Sequence, residues 1–150
     1  MIIKAIETVY KGYRFRSRLE ARWAVFFDAL GIEWEYEKEG YDLGELGWYL
    51  PDFEIKLSNG EEWFVEVKGN AADKSGIQKA LFLDSHSYEM GKIGVIMMSK
   101  FEYAHYFCDK DGPDFNKAWI DMTRFGVDFE RYNKAVDKAK QARFEHGEMP

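Results

Sequence analysis

Two β-prone runs flank the turn-former Ser58-Asn59-Gly60, and that arrangement constrains the fold of this chain more than any other feature. Phe53-Glu54-Ile55-Lys56 lies before it and Glu62-Trp63-Phe64-Val65-Glu66-Val67 after it, the pattern of an antiparallel hairpin. Side chains alternate along a strand, so the register decides which residues share a face. A two-residue Asn59-Gly60 loop would pair Lys56 with Trp63 and Phe53 with Glu66. A three-residue Ser58-Asn59-Gly60 loop, with Gly60 left-handed, pairs Ile55 with Trp63, Phe53 with Val65 and Lys56 with Glu62. Each such pair is worth only ~0.2–1 kcal/mol, but all of them favour the second register.

That register sets Asp52 opposite Glu66 and puts Lys68 on the same face. Two converging carboxylates form a hard-oxygen site suited to Mg²⁺. A lysine beside them can hold a water or steady the charge of a phosphoryl transition state. The competing interpretation is a set of solvated residues on the open side of a hairpin, where charged side chains usually sit. Trp48, Leu50 and Phe64, expected on that face, imply partial burial instead, and a buried carboxylate pair needs a cation or a proton.

With 150 residues, 46% of them hydrophobic and 17% aromatic, the chain suits a single domain spanning 1–150. No apolar run approaches the ~20 residues of a membrane span, and Met1-Ile2-Ile3-Lys4 lacks a signal-peptide core. The single cysteine, Cys108, rules out an internal disulfide and forms no zinc motif with His86, His105 or His146. Its aromatic neighbours suggest a packed thiol, and a cytoplasmic protein is expected. The net charge of −6 argues against a generic nucleic-acid binder. Its distribution softens that objection: residues 1–22 and 131–143 are mainly basic, and residues 23–72 strongly acidic.

Along the chain, Ser17 and Glu20 form a capping box and Gly31 closes a helix whose apolar stripe is Leu19, Trp23, Phe26 and Leu30. Ile32 to Tyr36 alternates as a strand, and 38–47 reads as a polar connection. Lys74 to Met90 suits a helix ending at Gly91, with Ile77, Leu81 and Tyr88 on one side. Ile93 to Met98 suits a strand covered on both faces. The order is α-β-β-β-α-β. Glu102 to Cys108 fits strand or helix, and helical patterns follow at Phe115 to Met122 and Phe129 to Phe144. Glu20 has a structural role in its capping box. It also lies on the edge of the apolar face with Ala24 and Phe27, where a third carboxylate can join the site.

Phe15-Arg16-Ser17-x-Leu19-Glu20, Trp34-Glu35-Tyr36-Glu37, Tyr49-Leu50-Pro51-Asp52-Phe53 and Val65-Glu66-Val67-Lys68-Gly69 resemble the PD-(D/E)xK nuclease superfamily. Within it the likeness is to the phage endonuclease I family, which resolves four-way (Holliday) DNA junctions, over about residues 13–70. The resemblance implies an α/β (α+β), restriction-endonuclease-like core over about 13–100. Its mixed central sheet is flanked by helices, and extra C-terminal helices occupy about 101–150. It also implies Mg²⁺- or Mn²⁺-dependent hydrolysis of DNA phosphodiesters in recombination or repair, in a prokaryotic or phage-infected cell. Glu20, Asp52, Glu66 and Lys68 match the family's catalytic positions, with the Val67 main-chain carbonyl as a further metal ligand. Arg14, Arg16, Arg18 and Arg22 fall where DNA phosphates are contacted. Related exonucleases carry a glutamine on the next helix, where Gln78 stands as a candidate supporting residue, although Phe82 replaces the tyrosine expected near it.

Two functions stay open, ahead of a third, a structural domain stabilised by metal, which so apolar a core does not need. One is a DNA endonuclease acting on branched DNA or other duplexes, as a homodimer, with Trp119, Phe125 and Phe129 offering apolar surface for pairing. The other is a non-catalytic relative that kept the fold to bind DNA or a protein.

Overall fold

The computed structural model describes residues 8–68, 74–98, 106–107 and 126–144, with backbone alone at 74, 106, 107 and 129. In chain order the elements are β1 (Thr8–Tyr10), β2 (Tyr13–Phe15), α1 (Arg18–Leu30), β3 (Glu33–Tyr36), β4 (Tyr41–Asp42) and β5 (Trp48–Tyr49). There follow β6 (Phe53–Lys56), β7 (Glu62–Val67), α2 (Lys74–His86), β8 (Val95–Met98), β9 (Tyr106–Phe107) and α3 (Phe129–Gln141). Short 3₁₀ turns cover Gly44–Leu46 and Ser87–Met90.

The hairpin takes the three-residue register. Phe53 pairs with Val65, Ile55 with Trp63 and Lys56 with Glu62. Leu57 N–H donates to Glu61 O at 2.8 Å, and Gly60 turns the chain at φ +89°, a conformation that costs glycine little and other residues much. The five-stranded sheet runs β3-β6-β7-β8-β9. Only the β7–β8 pair is parallel, so the sheet is mixed. α2 lies in the connection that a parallel pair requires.

Alternation then sorts the core into two layers. Phe53, Ile55, Trp63, Val65, Ile96 and Met98 join α1 and α3 in one cluster. Phe64, Val95 and Met97 join α2, Leu43 and Tyr49 in the other. Every residue of β8 is buried, and its members alternate between the two clusters, as expected of a strand covered on both faces. The fold is α+β, with helices against a mixed central sheet.

α1 follows its sequence signals closely. Ser17 caps it, accepting from Glu20 N–H at 3.1 Å, and Gly31 ends it at φ +70°. Trp23, Phe26 and Phe27 are fully buried. α3 begins at the Asp128 cap and lays Ala135 and Ala139 into the same cluster, joined by Ala142 just past its end, with Tyr132 edge-on to Phe26. This part of the expected C-terminal extension therefore packs into the main core.

Three expectations need correction. The β1–β2 and β4–β5 hairpins were not foreseen, because two- and three-residue strands are too short to show a period. Positive φ at Lys11 and Gly12 makes the first of these turns. Asp28 pins that hairpin down, accepting from Tyr10 Oη at 2.6 Å, Trp34 Nε1 at 3.0 Å and Lys11 Nζ at 2.9 Å. Tyr88 does not join Ile77 and Leu81 but is 89% exposed, because the change to 3₁₀ geometry at Ser87 shifts the phase of the side chains. Trp48 is 65% exposed, whereas Leu50 is partly and Phe64 fully buried. The patterns at Phe115 to Met122, most of Glu102 to Cys108 (Cys108 included), Trp119 and Phe125 lie outside the described residues. Among the described residues, no helix is long and apolar enough to cross a membrane.

Phe53 sits among Phe15, Phe27, Trp34 and Tyr36 with ring centroids 5.2–6.1 Å away. Phe53→Ala is expected to cost about 3–5 kcal/mol in urea unfolding. Tyr88→Ala, at an exposed position, should stay within about 0.5 kcal/mol of the parent.

Candidate active site

The acidic residues meet where α1 begins and β3, β6 and β7 meet the loops around them. Continuing the β3–β6 register sets Glu37 opposite Asp52, and Glu37 N–H donates to Asp52 O at 2.9 Å. Continuing the β6–β7 register sets Asp52 opposite Glu66. The Asp52 carboxylate reaches across to accept from Val67 N–H at 2.7 Å. Asp52 is thus held by both neighbouring strands. Glu20 arrives from the first turn of α1, its carboxylate accepting from Ser17 Oγ at 2.6 Å and Tyr36 Oη at 3.0 Å.

Four carboxylates gather here. One oxygen from each of Glu20, Glu37 and Asp52 lies within 4.8 Å of the other two. Glu66 stands beside this trio with both oxygens engaged: Tyr49 Oη donates to one at 2.6 Å, and Lys68 Nζ lies 3.0 Å from the other. Glu66 and Lys68 share a face, as two residues in one strand should.

The crowding shows in the acid–base behaviour of the group. Asp52 keeps some surface, yet its carboxyl is poorly solvated, and that burial, with Glu66 and Glu20 close by, pushes its pKa well above the usual range. Burial raises the Glu66 pKa too, against the opposing pull of Lys68 and Tyr49. The Tyr36 hydroxyl is also shifted upward, first by burial and then by the Glu20 charge, so it remains a donor.

A cleft of about 300 Å³ opens onto this group. Arg16, Lys68 and Lys79 balance Glu37, Asp52 and Glu66 on its walls, and Tyr49, Ser75 and Gly76 complete much of the lining. Arg16 Nε contacts Glu37 Oε1 at 2.7 Å. The donor set is made of oxygen, and Asp52, Glu20, Glu37 and Glu66 are the residues that could hold a hard divalent cation. Such a cation would relieve the repulsion that raises the Asp52 pKa.

Of the residues expected from sequence, Glu20, Asp52, Glu66 and Lys68 come together. Val67 contributes its N–H to Asp52. Gln78 is exposed and does not line the cleft; Ser75 and Lys79, one turn of helix apart, occupy that wall. The four arginines divide: Arg14 and Arg16 are exposed, whereas Arg18 and Arg22 are partly buried with Nε turned away from solvent. Glu37, Tyr49 and Lys79 were missed. Glu37 was within reach by extending the strand register, and Tyr49 stands in the same motif as Asp52.

Comparisons of the chain with protein-family models, with curated proteins and with solved structures find no match.

The raised Asp52 pKa has a testable sign. Well below pH 4 the carboxyl is protonated in both the folded and the unfolded chain, and the crowding costs nothing. As pH rises toward the elevated folded value, the unfolded chain releases its proton first, and metal-free stability falls. Asp52→Asn should therefore raise the thermal midpoint in EDTA at pH 7.5, with the gain shrinking toward pH 4. Each 1 kcal/mol relieved corresponds to roughly 2–4 °C. Scanning calorimetry across that range checks it, and an equal gain at every pH would contradict the crowding account.

Proposed function

We propose that this protein is a Mg²⁺- or Mn²⁺-dependent DNA endonuclease of restriction-endonuclease-like architecture. The observation that carries this is the convergence of Glu37, Asp52, Glu66 and Lys68 in one cleft, with the Glu20 carboxylate close to those of Glu37 and Asp52. The succession α1-β3-β6-β7-α2-β8 around the mixed sheet agrees with it. So does the resemblance of the motifs carrying these residues to the PD-(D/E)xK nucleases.

In this scheme Asp52 and Glu66, with Glu20, Glu37 and the Val67 carbonyl, would hold the cation. When bound, the cation supplies Lewis-acid polarisation of the phosphate and lowers the pKa of the attacking water. Tyr49 fixes the orientation of Glu66 through its 2.6 Å hydrogen bond. Lys68 orients the water and offsets the negative charge that grows on the phosphoryl oxygens. The water gives up a proton to solvent as its oxygen bonds to phosphorus, the bond from phosphorus to the leaving sugar oxygen breaks, and that oxygen takes up a proton from solvent. Arg16 and Lys79, at the walls of the cleft, contact the DNA backbone, with Arg14, Arg18 and Arg22 extending the basic surface. Branched or four-way-junction DNA is the favoured substrate, cut by a symmetric homodimer.

A second reading is a non-catalytic DNA- or protein-binding relative. The Lys68–Glu66 and Arg16–Glu37 ion pairs favour it, because they neutralise part of the acidic set without a cation.

The two separate in one assay. Supercoiled plasmid and a four-way junction should be cut with Mn²⁺ and left intact with EDTA. Asp52→Asn and Glu66→Gln should lose at least about 10²-fold in rate and most of their Mn²⁺ affinity by calorimetry. Lys68→Ala should lose cleavage and keep Mn²⁺ binding, and Glu20→Gln and Glu37→Gln should show intermediate losses. Arg16→Ala should weaken DNA binding in a salt-dependent way. No cleavage by the parent, or full cleavage and Mn²⁺ binding by Asp52→Asn and Glu66→Gln, would replace the nuclease reading with the binding one.

A further inference from the structure

We propose that Glu37 couples cation binding to DNA binding by holding Arg16 back from the phosphate until a cation claims its carboxylate. This assignment rests on the nuclease reading above and gives that site its regulation. Arg16 Nε lies 2.7 Å from Glu37 Oε1, and both residues line the cleft. While paired, the guanidinium offers little net charge to a phosphate, and the carboxylate beside it repels one. A guanidinium binds carboxylate and phosphate through the same planar set of donors, so the two anions compete for it.

Three features make this pair a switch and not a fixed brace. The Arg16 side chain is 70% exposed and that of Glu37 22%, so the contact is weak and readily exchanged. The Arg16 backbone is anchored separately, its N–H donating to Tyr36 Oη at 3.1 Å. The guanidinium can therefore change partners while the connection into α1 stays in place. Glu37 also has a second destination, since one of its oxygens lies within 4.8 Å of an oxygen from Glu20 and one from Asp52.

The backbone at Glu37 points the same way. Its φ is +46°, a left-handed conformation that costs glutamate more than glycine. Its N–H donates to Asp52 O at 2.9 Å, which fixes residue 37 against the acidic group. A strained residue kept beside other carboxylates points to a function in its side chain. The other ion pair of the cleft is built differently. Lys68 and Glu66 stand two apart at the end of β7 with side chains 13% and 7% exposed, and Tyr49 also holds Glu66. Lys68 thus stays at the acidic group, whereas Arg16 has both a carboxylate to leave and room to leave it.

Binding of a four-way junction tests this without turnover. In EDTA, Glu37→Gln releases Arg16 and should raise junction affinity about three- to fivefold. In an Arg16→Ala background the same change should gain far less. Glu66→Gln removes an equal charge from the same cleft, and its effect should be the same in both backgrounds. With Ca²⁺ the parent should bind the junction more tightly, and the junction should tighten Ca²⁺ binding by the same factor. That factor should shrink in Glu37→Gln and in Arg16→Ala, and shrink no further in the double variant. Equal gains from Glu37→Gln in both backgrounds, an equal dependence of Glu66→Gln on Arg16, or a junction affinity unchanged by Ca²⁺ overturns the proposal. If the parent cuts DNA with Mn²⁺ in that case, only the coupling falls. If the parent neither cuts nor binds the junction, the nuclease reading falls with it.

Discussion

A single register, that of β6 against β7, determines whether the acidic groups can meet at all. The turn at Ser58-Asn59-Gly60 holds it, and the Asp52 carboxylate reinforces it by accepting from Val67 N–H. A slip of one residue would turn Glu66 and Lys68 toward the α1 layer and bring Trp63 and Val65 to the opposite face. The core would then lose two of its buried residues and the cleft two of its charges. Packing and chemistry thus depend on the same pairing. β3 adds to it through the Glu37 to Asp52 hydrogen bond, so three consecutive strands are aligned around one aspartate.

What was legible in the sequence follows the range of the forces involved. The hairpin register, the Ser17 and Gly31 boundaries of α1 and the doubly buried β8 are written in local pattern, and the structure follows them. Glu37 lay within reach of the continued β3–β6 register, which sets it opposite Asp52, but it was passed over as the third of the alternating glutamates Glu33, Glu35 and Glu37. Lys79 was hidden because the helix after β7 presents its 75–79 face to the cleft, a rotation that leaves Gln78 outside. Trp48 was misplaced because a large aromatic residue beside a strand motif suggests burial, and only the close approach of Gly40 shows where the ring goes. Contacts between distant segments decide the last two, and no window of sequence contains them.

Carboxylates packed this closely make the site locally unfavourable without a counter-charge, and the protein limits that cost with neutral donors. Tyr49 serves Glu66, while Tyr36 and Ser17 serve Glu20. A phenol fixes a carboxylate without neutralising it, so the negative potential of the group is preserved. Lysine or arginine alone in those places would satisfy the oxygens and cancel the attraction for a cation. The ion pairs of Lys68 and Arg16 lie on the cleft side of the group, where a phosphate would draw on the same cations.

Among the described residues, β3 pairs on one side only, with β6, which leaves it as an edge of the five-stranded sheet. Its outward side chains are Glu33 and Glu35, with Lys38 3.3 Å from Glu35, while Trp34 and Tyr36 pack against the core. An unpaired edge invites another strand to extend the sheet, in fibrils as in ordered assemblies. Two copies joined antiparallel along β3 would set rows of glutamate against each other, with one lysine per copy to offset them. The edge is thereby guarded against sheet extension by its own charge.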